Sequence, residues 1–60
     1  MENDLLNECK RVGIRLEIFV DQENINMSLH GESDVIFECN HKELKDCVND
    51  CLIFIKDLGL

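Results

Sequence analysis

The sequence contains no proline, tryptophan or tyrosine, and only three of its 60 residues are glycine. Basic residues are also scarce: six Lys and Arg stand against 13 Asp and Glu, for a formal charge of −7. No apolar run extends much beyond Leu52 to Ile55, which is far too short to span a bilayer. The shortage of positive charge disfavours binding to phosphate backbones or anionic membranes, and it favours a basic partner.

A recognisable targeting segment is also missing. The N-terminal MENDLLNECK carries acids where a secretory signal needs bases, and no apolar core follows. We therefore expect a cytoplasmic protein with reduced thiols. A chain of this length forms one domain, residues 1–60, which buries only about 60% of the surface of its unfolded form.

Two helices are predicted at the ends of the chain. Residues 40–58 follow a helical period, with Asn40 as the cap and Glu43 reaching back to it in a capping box. One wide apolar face is expected to comprise Leu44, Cys47, Val48, Cys51, Leu52, Phe54, Ile55 and Leu58. A shorter first helix would be capped by Asn3 or Asp4 and would end at Gly13.

Between the helices the apolar period changes to two, which predicts three strands at residues 14–20, 25–30 and 35–39. Polar turns at 21–24 and 31–34 join them. The side chains expected to face the core are Ile14, Leu16, Ile18, Val20, Ile25, Met27, Leu29, Val35, Phe37 and Cys39. The predicted fold is α+β (α-β-β-β-α), a three-stranded antiparallel meander with both helices on one face.

Two apolar residues do not fit the core-facing pattern of this sheet. Phe19 and Ile36 fall on the outer face, together with polar residues. A two-fold axis through that face would pair equivalent patches, as in isologous dimers. We therefore predict a homodimer with Phe19 and Ile36 in its interface.

Four cysteines raise the question of a metal site, since Cys39, His41, Cys47 and Cys51 lie close in sequence. Their spacing, C-x-H-x5-C-x3-C, lacks the paired C-x2-C motifs that are typical of zinc modules. All four cysteines occupy predicted core-facing positions, where free thiols act as small hydrophobes. We predict no metal and no cofactor, and keep a small structural zinc module as an alternative.

Nothing in the sequence is typical of catalysis. A thiolate nucleophile needs a base in reach, and His30 and His41 are the only histidines. No Ser or Cys stands in a Gly-rich turn of the kind that presents a nucleophile. We therefore predict that the protein is not an enzyme.

The polar side of the second helix has one acidic flank. It consists of Glu43, Asp46, Asp50 and Asp57, with Ile53 as an apolar centre. An apolar anchor inside a charged rim is typical of protein interfaces. We predict that these five residues bind a partner.

Two short segments resemble a known family. DLLNECKRVGI (residues 4–14) is similar to the first helix of double-stranded RNA-binding domains. HKELKD (residues 41–46) is similar to the lysine-rich start of their second helix, with Lys42 and Lys45 at two matching positions and His41 in place of another lysine. The family's basic surroundings are missing here.

The order of elements also resembles HicB-type antitoxins, acidic proteins that neutralise a small basic RNA-cleaving toxin. Both resemblances imply an α-β-β-β-α domain with a non-catalytic role. We predict an acidic interaction protein that binds and inhibits a basic, nucleic-acid-handling protein, as antitoxins and phage-encoded inhibitors of host defence do. The alternative is a divergent double-stranded nucleic-acid-binding module that uses His41, Lys42 and Lys45.

Overall fold

The computed structural model describes residues 2–59 and has the predicted α+β architecture. Five elements follow one another: α1 (Glu2–Val12), β1 (Arg15–Val20), β2 (Ile25–His30), β3 (Val35–His41) and α2 (Leu44–Asp57). The strands form one antiparallel sheet in the order β1-β2-β3. Helix α2 packs on β2 and β3, and α1 packs on α2 and more slightly on β1. The predicted meander with both helices on one face is confirmed.

Helix α1 ends as predicted but starts earlier. Gly13 has a φ of 77°, the left-handed conformation that closes many helices and that costs glycine least. The Ile14 N–H then donates to the Cys9 carbonyl at 2.9 Å. The helix begins at Glu2, so the prediction that Asn3 or Asp4 caps it is wrong, because both residues lie inside the helix.

Helix α2 begins later than predicted. Asn40 belongs to β3, where its side-chain amide donates to Asn26 Oδ1 on β2. The N-cap is Glu43, which has an extended backbone (φ −114°, ψ 136°) and makes no side-chain capping bond. The predicted capping box of Asn40 and Glu43 is wrong, because pairing with β2 extends β3 through His41.

The core lies between the two helices and the central strand. Eight apolar side chains are at most 4% exposed: Leu5, Cys9, Met27, Leu29, Cys47, Val48, Cys51 and Ile55. They come from α1, β2 and α2, and within the sheet the buried apolar side chains belong to β2. All four cysteines were predicted to be buried; this is confirmed for Cys9, Cys47 and Cys51, whereas Cys39 is half-buried beside them.

Within residues 2–59, no helix covers the C-terminal end of β1. Ile18 and Val20 were predicted to face the core, but they are 49% and 76% exposed. Helix α2 lies over β2 and β3, and α1 touches β1 only slightly. The alternating pattern therefore identifies the inner face of β1 correctly but not its burial.

A bulge at the start of β3 changes the position of one residue that was predicted to face the core. Leu29 pairs with Phe37, whereas His30 pairs with Val35, so β3 has one extra residue between them. Paired residues share a face, and His30 belongs to the outer face. Val35 is consequently 47% exposed, and its predicted place in the core is wrong.

The outer face of the sheet is open and carries two carboxylates in its central row. Glu17, Ser28 and Glu38 are paired across the three strands. Phe19 and Ile36 are exposed on this face, at 58% and 39%, on opposite edge strands and toward opposite ends. A two-fold contact through this face would bring the carboxylates of two copies together, and the predicted homodimer interface stays a prediction.

Candidate protein-binding site on helix α2

The acidic flank of α2 forms one continuous stripe. Asp46, Asp50, Ile53 and Asp57 are spaced by four, three and four residues, which places them one above the other on a helix. Ile53 is 50% exposed at the centre of this stripe. Glu43 precedes the stripe at the N-cap and is also exposed. All five residues predicted to bind a partner therefore lie along one side of α2.

A hollow of about 330 Å³ opens beside this stripe, where α2 faces the edge strand β3. Phe37, Asp50, Ile53, Phe54 and Asp57 line it. We call it the acidic hollow. Phe37 and Phe54 stack with ring centroids 4.7 Å apart and planes inclined by 20°. The hollow thus combines two stacked rings, an exposed aliphatic side chain and two carboxylates.

The two phenylalanines were assigned to the core from their periodicity, and both are in fact half-buried. They pack against the core with one part and line the hollow with another. A sequence signal for Phe54 exists, since it lies four residues after Asp50 and three before Asp57, and such residues are neighbours on a helix. No sequence signal places Phe37 there, because its position depends on how α2 crosses β3.

One carboxylate of the hollow is held by a histidine. His41 Nε2 lies 2.5 Å from Asp50 Oδ2, which is a close hydrogen bond between a strand end and a helix. The contact exists because β3 continues to His41 instead of ending at Cys39. The predicted helix over residues 40–58 placed His41 in its first turn and so missed this role, which is to fix the orientation of Asp50.

The remaining carboxylates of the stripe have no cationic neighbour. Within residues 2–59, neither Asp46 nor Asp57 lies within ion-pair distance of a basic side chain. Lys45 and Lys56 lie on the opposite flank of α2, about 100° away around the helix. The stripe is therefore a surface of unneutralised negative charge beside aromatic and aliphatic groups.

The cysteines of the alternative zinc module lie close together without a disulfide bond between them. Cys39 Sγ lies 4.0 Å from Cys51 Sγ, well beyond the roughly 2.05 Å of a disulfide bond. Cys47 Sγ donates to the Ile25 carbonyl at 3.3 Å, and His41 is engaged by Asp50. In the described part of the chain, no three residues among His, Cys, Asp and Glu converge as metal ligands do.

Burial also makes these thiols poor nucleophiles. It raises the pKa of the Cys51 thiol to about 11, and it raises the pKa of Cys39 further above the ordinary value, with help from the neighbouring Cys51. The thiolate is the reactive form of cysteine. Both residues are therefore almost entirely protonated at neutral pH.

The lysines of the alternative nucleic-acid site are separated by acids. Lys42 lies in the bend between β3 and α2, and Lys45 lies in the first turn of α2. Glu43 follows Lys42, and Asp46 follows Lys45. This edge does not present a continuous positive surface.

The chain matches no protein-family model, no curated protein and no solved structure. Between residues 2 and 59, no helix combines the length and the apolar character needed to cross a membrane.

Proposed function

We propose that this protein is a small, non-catalytic interaction protein that binds a basic protein through the acidic stripe and the acidic hollow of α2. The observation that carries the proposal is the hollow, in which Asp50, Ile53 and Asp57 surround the stacked pair of Phe37 and Phe54. The overall charge of −7 supports it, because it steers a basic partner toward the molecule.

The hollow suits the side chain of an arginine or lysine. These side chains have an apolar stem and a cationic head, so the stem would pack on Ile53 and the rings while the head lies between Asp50 and Asp57. A cation near an aromatic face gains about 0.5–2 kcal/mol. Arginine gains most, because its planar guanidinium both stacks on rings and binds carboxylates in pairs.

A nucleic-acid-handling protein is the partner that this chemistry favours. Such proteins carry basic surfaces that neutralise phosphates, and an acidic stripe on a rigid helix would occupy that surface and inhibit the partner. This action is the one expected of an antitoxin or of a phage inhibitor of host defence. The raised pKa of the Cys51 thiol and the hydrogen bond that His41 makes to Asp50 support a non-catalytic role.

A comparison of three baits tests the proposal. Three tagged baits would be used to capture proteins from host lysate. They are the parent protein, the hollow variant (Ile53→Ser with Asp57→Asn) and the control variant (Ile36→Ser with Asp34→Asn). The last two carry the same change of charge and polarity, but the control lies on the opposite side of the sheet. We expect the parent and the control to enrich the same basic proteins, and the hollow variant to lose them.

The captured partner would then be purified and titrated with each variant by calorimetry. Loss of a buried anchor costs 1.4 kcal/mol or more in many interfaces, so affinity should fall by about tenfold or more with the hollow variant. Equal affinity of the two variants, or capture of acidic and neutral proteins only, would contradict the proposal.

A further inference from the structure

Within residues 2–59, strand β1 is an edge strand with no second strand on its outer side. It pairs only with β2, and five of its six residues are exposed. The free backbone groups of an edge strand bind other strands, so proteins usually block them with a bulge, a proline, an inward-pointing charge or a covering helix. The other edge, β3, has a bulge and lies against α2. β1 has regular pairing and only apolar residues on its inner face.

An apolar hollow of about 260 Å³ adjoins the inner side of β1, between α1 and α2. Only apolar residues line it: Leu5, Leu6, Leu16, Ile18, Met27, Leu44 and Val48. Leu6 and Ile18 are 47% and 49% exposed there, and Val20 continues the same surface along β1 at 76%. Unlike the outer face, this surface presents no carboxylate to a second molecule.

We propose that β1 pairs with β1 of a second copy of this chain, antiparallel about a two-fold axis at Ile18, so that two three-stranded sheets join into one. Such an axis runs perpendicular to the sheet and keeps the inner faces of both copies on the same side. The two apolar hollows then adjoin across the new strand pair.

The charges at the ends of β1 select this register. An axis at Glu17 would place two glutamates directly opposite each other, which is destabilising. An axis at Leu16 would leave half of the strand unpaired. An axis at Ile18 pairs the whole strand: Leu16 meets the partner's Val20, and Arg15 lies opposite the partner's Asp21.

Arg15 and Asp21 cannot form this pair within one chain. They lie at opposite ends of β1, and a rise of about 3.3 Å per residue separates them by roughly 20 Å. The Arg15 guanidinium makes a single long bond, from Nη2 to the Gly31 carbonyl at 3.4 Å. Both side chains are exposed. One carboxylate oxygen of Asp21 accepts from the Gln22 N–H, which leaves its other oxygen to face a second copy.

The size of the domain also favours a second copy. A stable interface buries about 800 Å² on each partner, nearly a fifth of the 4299 Å² that this chain exposes. The β1 edge is the side where a free strand edge adjoins a hollow with a purely apolar lining. The inference is independent of the proposed function, because the acidic hollow lies beside β3, at the other edge of the sheet.

Sedimentation velocity from micromolar to millimolar concentration tests the pairing. We expect a reversible dimer for the parent protein. Ile18→Lys would place two ammonium groups opposite each other at the axis and weaken self-association by roughly tenfold or more. Ile53→Lys, the same substitution at a nearly equal exposure of 50%, should leave self-association unchanged, as should Ile36→Ser on the other edge.

A double-mutant cycle tests the register. Arg15→Gln and Asp21→Asn each remove a charge while keeping a polar side chain, and each should weaken the dimer. The double variant should be weaker by less than the sum, because paired residues are coupled. In the parent, amide exchange should slow along β1 as concentration rises, a readout that needs no variant. Any of four results would overturn the proposal. The parent could stay monomeric, the dimer could be unaffected by Ile18→Lys, the effects in the cycle could be additive, or Ile36→Ser could abolish the dimer.

Discussion

Ile53 and Ile55 of α2 are identical side chains two residues apart, yet one is 50% exposed and the other 0%. Two residues turn a helix through about 200°, so Ile53 lies in the acidic stripe and Ile55 in the core. Hydrophobicity alone does not distinguish them, but their positions on the helical wheel do. Their environments allow the same substitution to report on packing at one site and on the surface at the other.

Ile55→Ala should lower the free energy of unfolding by about 2–5 kcal/mol, because it leaves a cavity in a close-packed core. That loss is comparable to the few kcal/mol that stabilise so small a domain. Ile53→Ala should change it by no more than about 0.5 kcal/mol. Urea denaturation followed by circular dichroism measures both, and similar midpoints for the two variants would contradict the packing described for α2.

The buried thiols make stability depend on alkaline pH. Burial raises the pKa of Cys51 from 9.0 to about 11, so between these values the unfolded chain loses a proton that the folded chain keeps. The folded state is then favoured less as pH rises. We expect the contribution of Cys51 to the free energy of unfolding to be constant below pH 9 and to fall between pH 9 and 11, as measured by urea denaturation. Cys51→Ala should show a shallower decline over that range, and an equal slope would show that this thiol does not contribute.

At the scale of elements, the start of α2 combines a suitable backbone with an unsuitable side chain. Glu43 has the extended φ and ψ of an N-cap but makes no capping bond, since glutamate is one methylene longer than the preferred aspartate. The first free N–H groups of the helix therefore lack a side-chain acceptor at this position.

Glu43→Asp should stabilise the protein by about 0.5–1 kcal/mol, because the shorter carboxylate reaches the N–H of the second or third helical residue. The charge does not change, so a rise in the thermal midpoint reports the cap itself. Glu43→Gln is the matched control and should give no increase. If Glu43→Asp and Glu43→Gln have the same thermal midpoint, the missing capping bond does not limit the stability of the protein.

The apolar periodicity of the sequence predicts the type of each element more accurately than the residues at which it begins and ends. β2 occupies the predicted residues 25–30, because three apolar residues alternate between two polar turns. The boundary between β3 and α2 was misplaced, because asparagine suits both a helix cap and a cross-strand amide pair, and Asn26 decides for the strand. The bulge at Val35 depends on pairing with another strand and leaves no local pattern.

In the candidate site, too, local patterns predict some features, and others depend on packing between elements. The acidic stripe is a property of one helix, so spacing alone predicts it. Phe37 and His41 join it only through the packing of β3 against α2. For the same reason the exposure of Ile18 and Val20 could not be predicted, because it depends on where the helices cross the sheet.

At the scale of the whole molecule, acidic residues occur along the entire chain. The outer face has Glu17 and Glu38, the α2 stripe has three aspartates, and the turns carry others. The formal net charge of −7 therefore does not come from a single patch, and salt screens its field without changing its sign. This property favours the proposed protein partner over the alternative nucleic-acid partner.

We predict no measurable binding to duplex RNA or DNA at physiological salt. Lys42 and Lys45 are the only lysines near the start of α2, and Glu43 and Asp46 alternate with them. Binding to a duplex gains free energy from counterions released by several contiguous cations, which this edge lacks. Fluorescence anisotropy with labelled duplexes at low and physiological salt measures it, with Lys42→Ala plus Lys45→Ala as the matched variant. Micromolar affinity for the parent, lost in that variant and falling steeply with salt, would contradict the prediction and support a nucleic-acid-binding module instead.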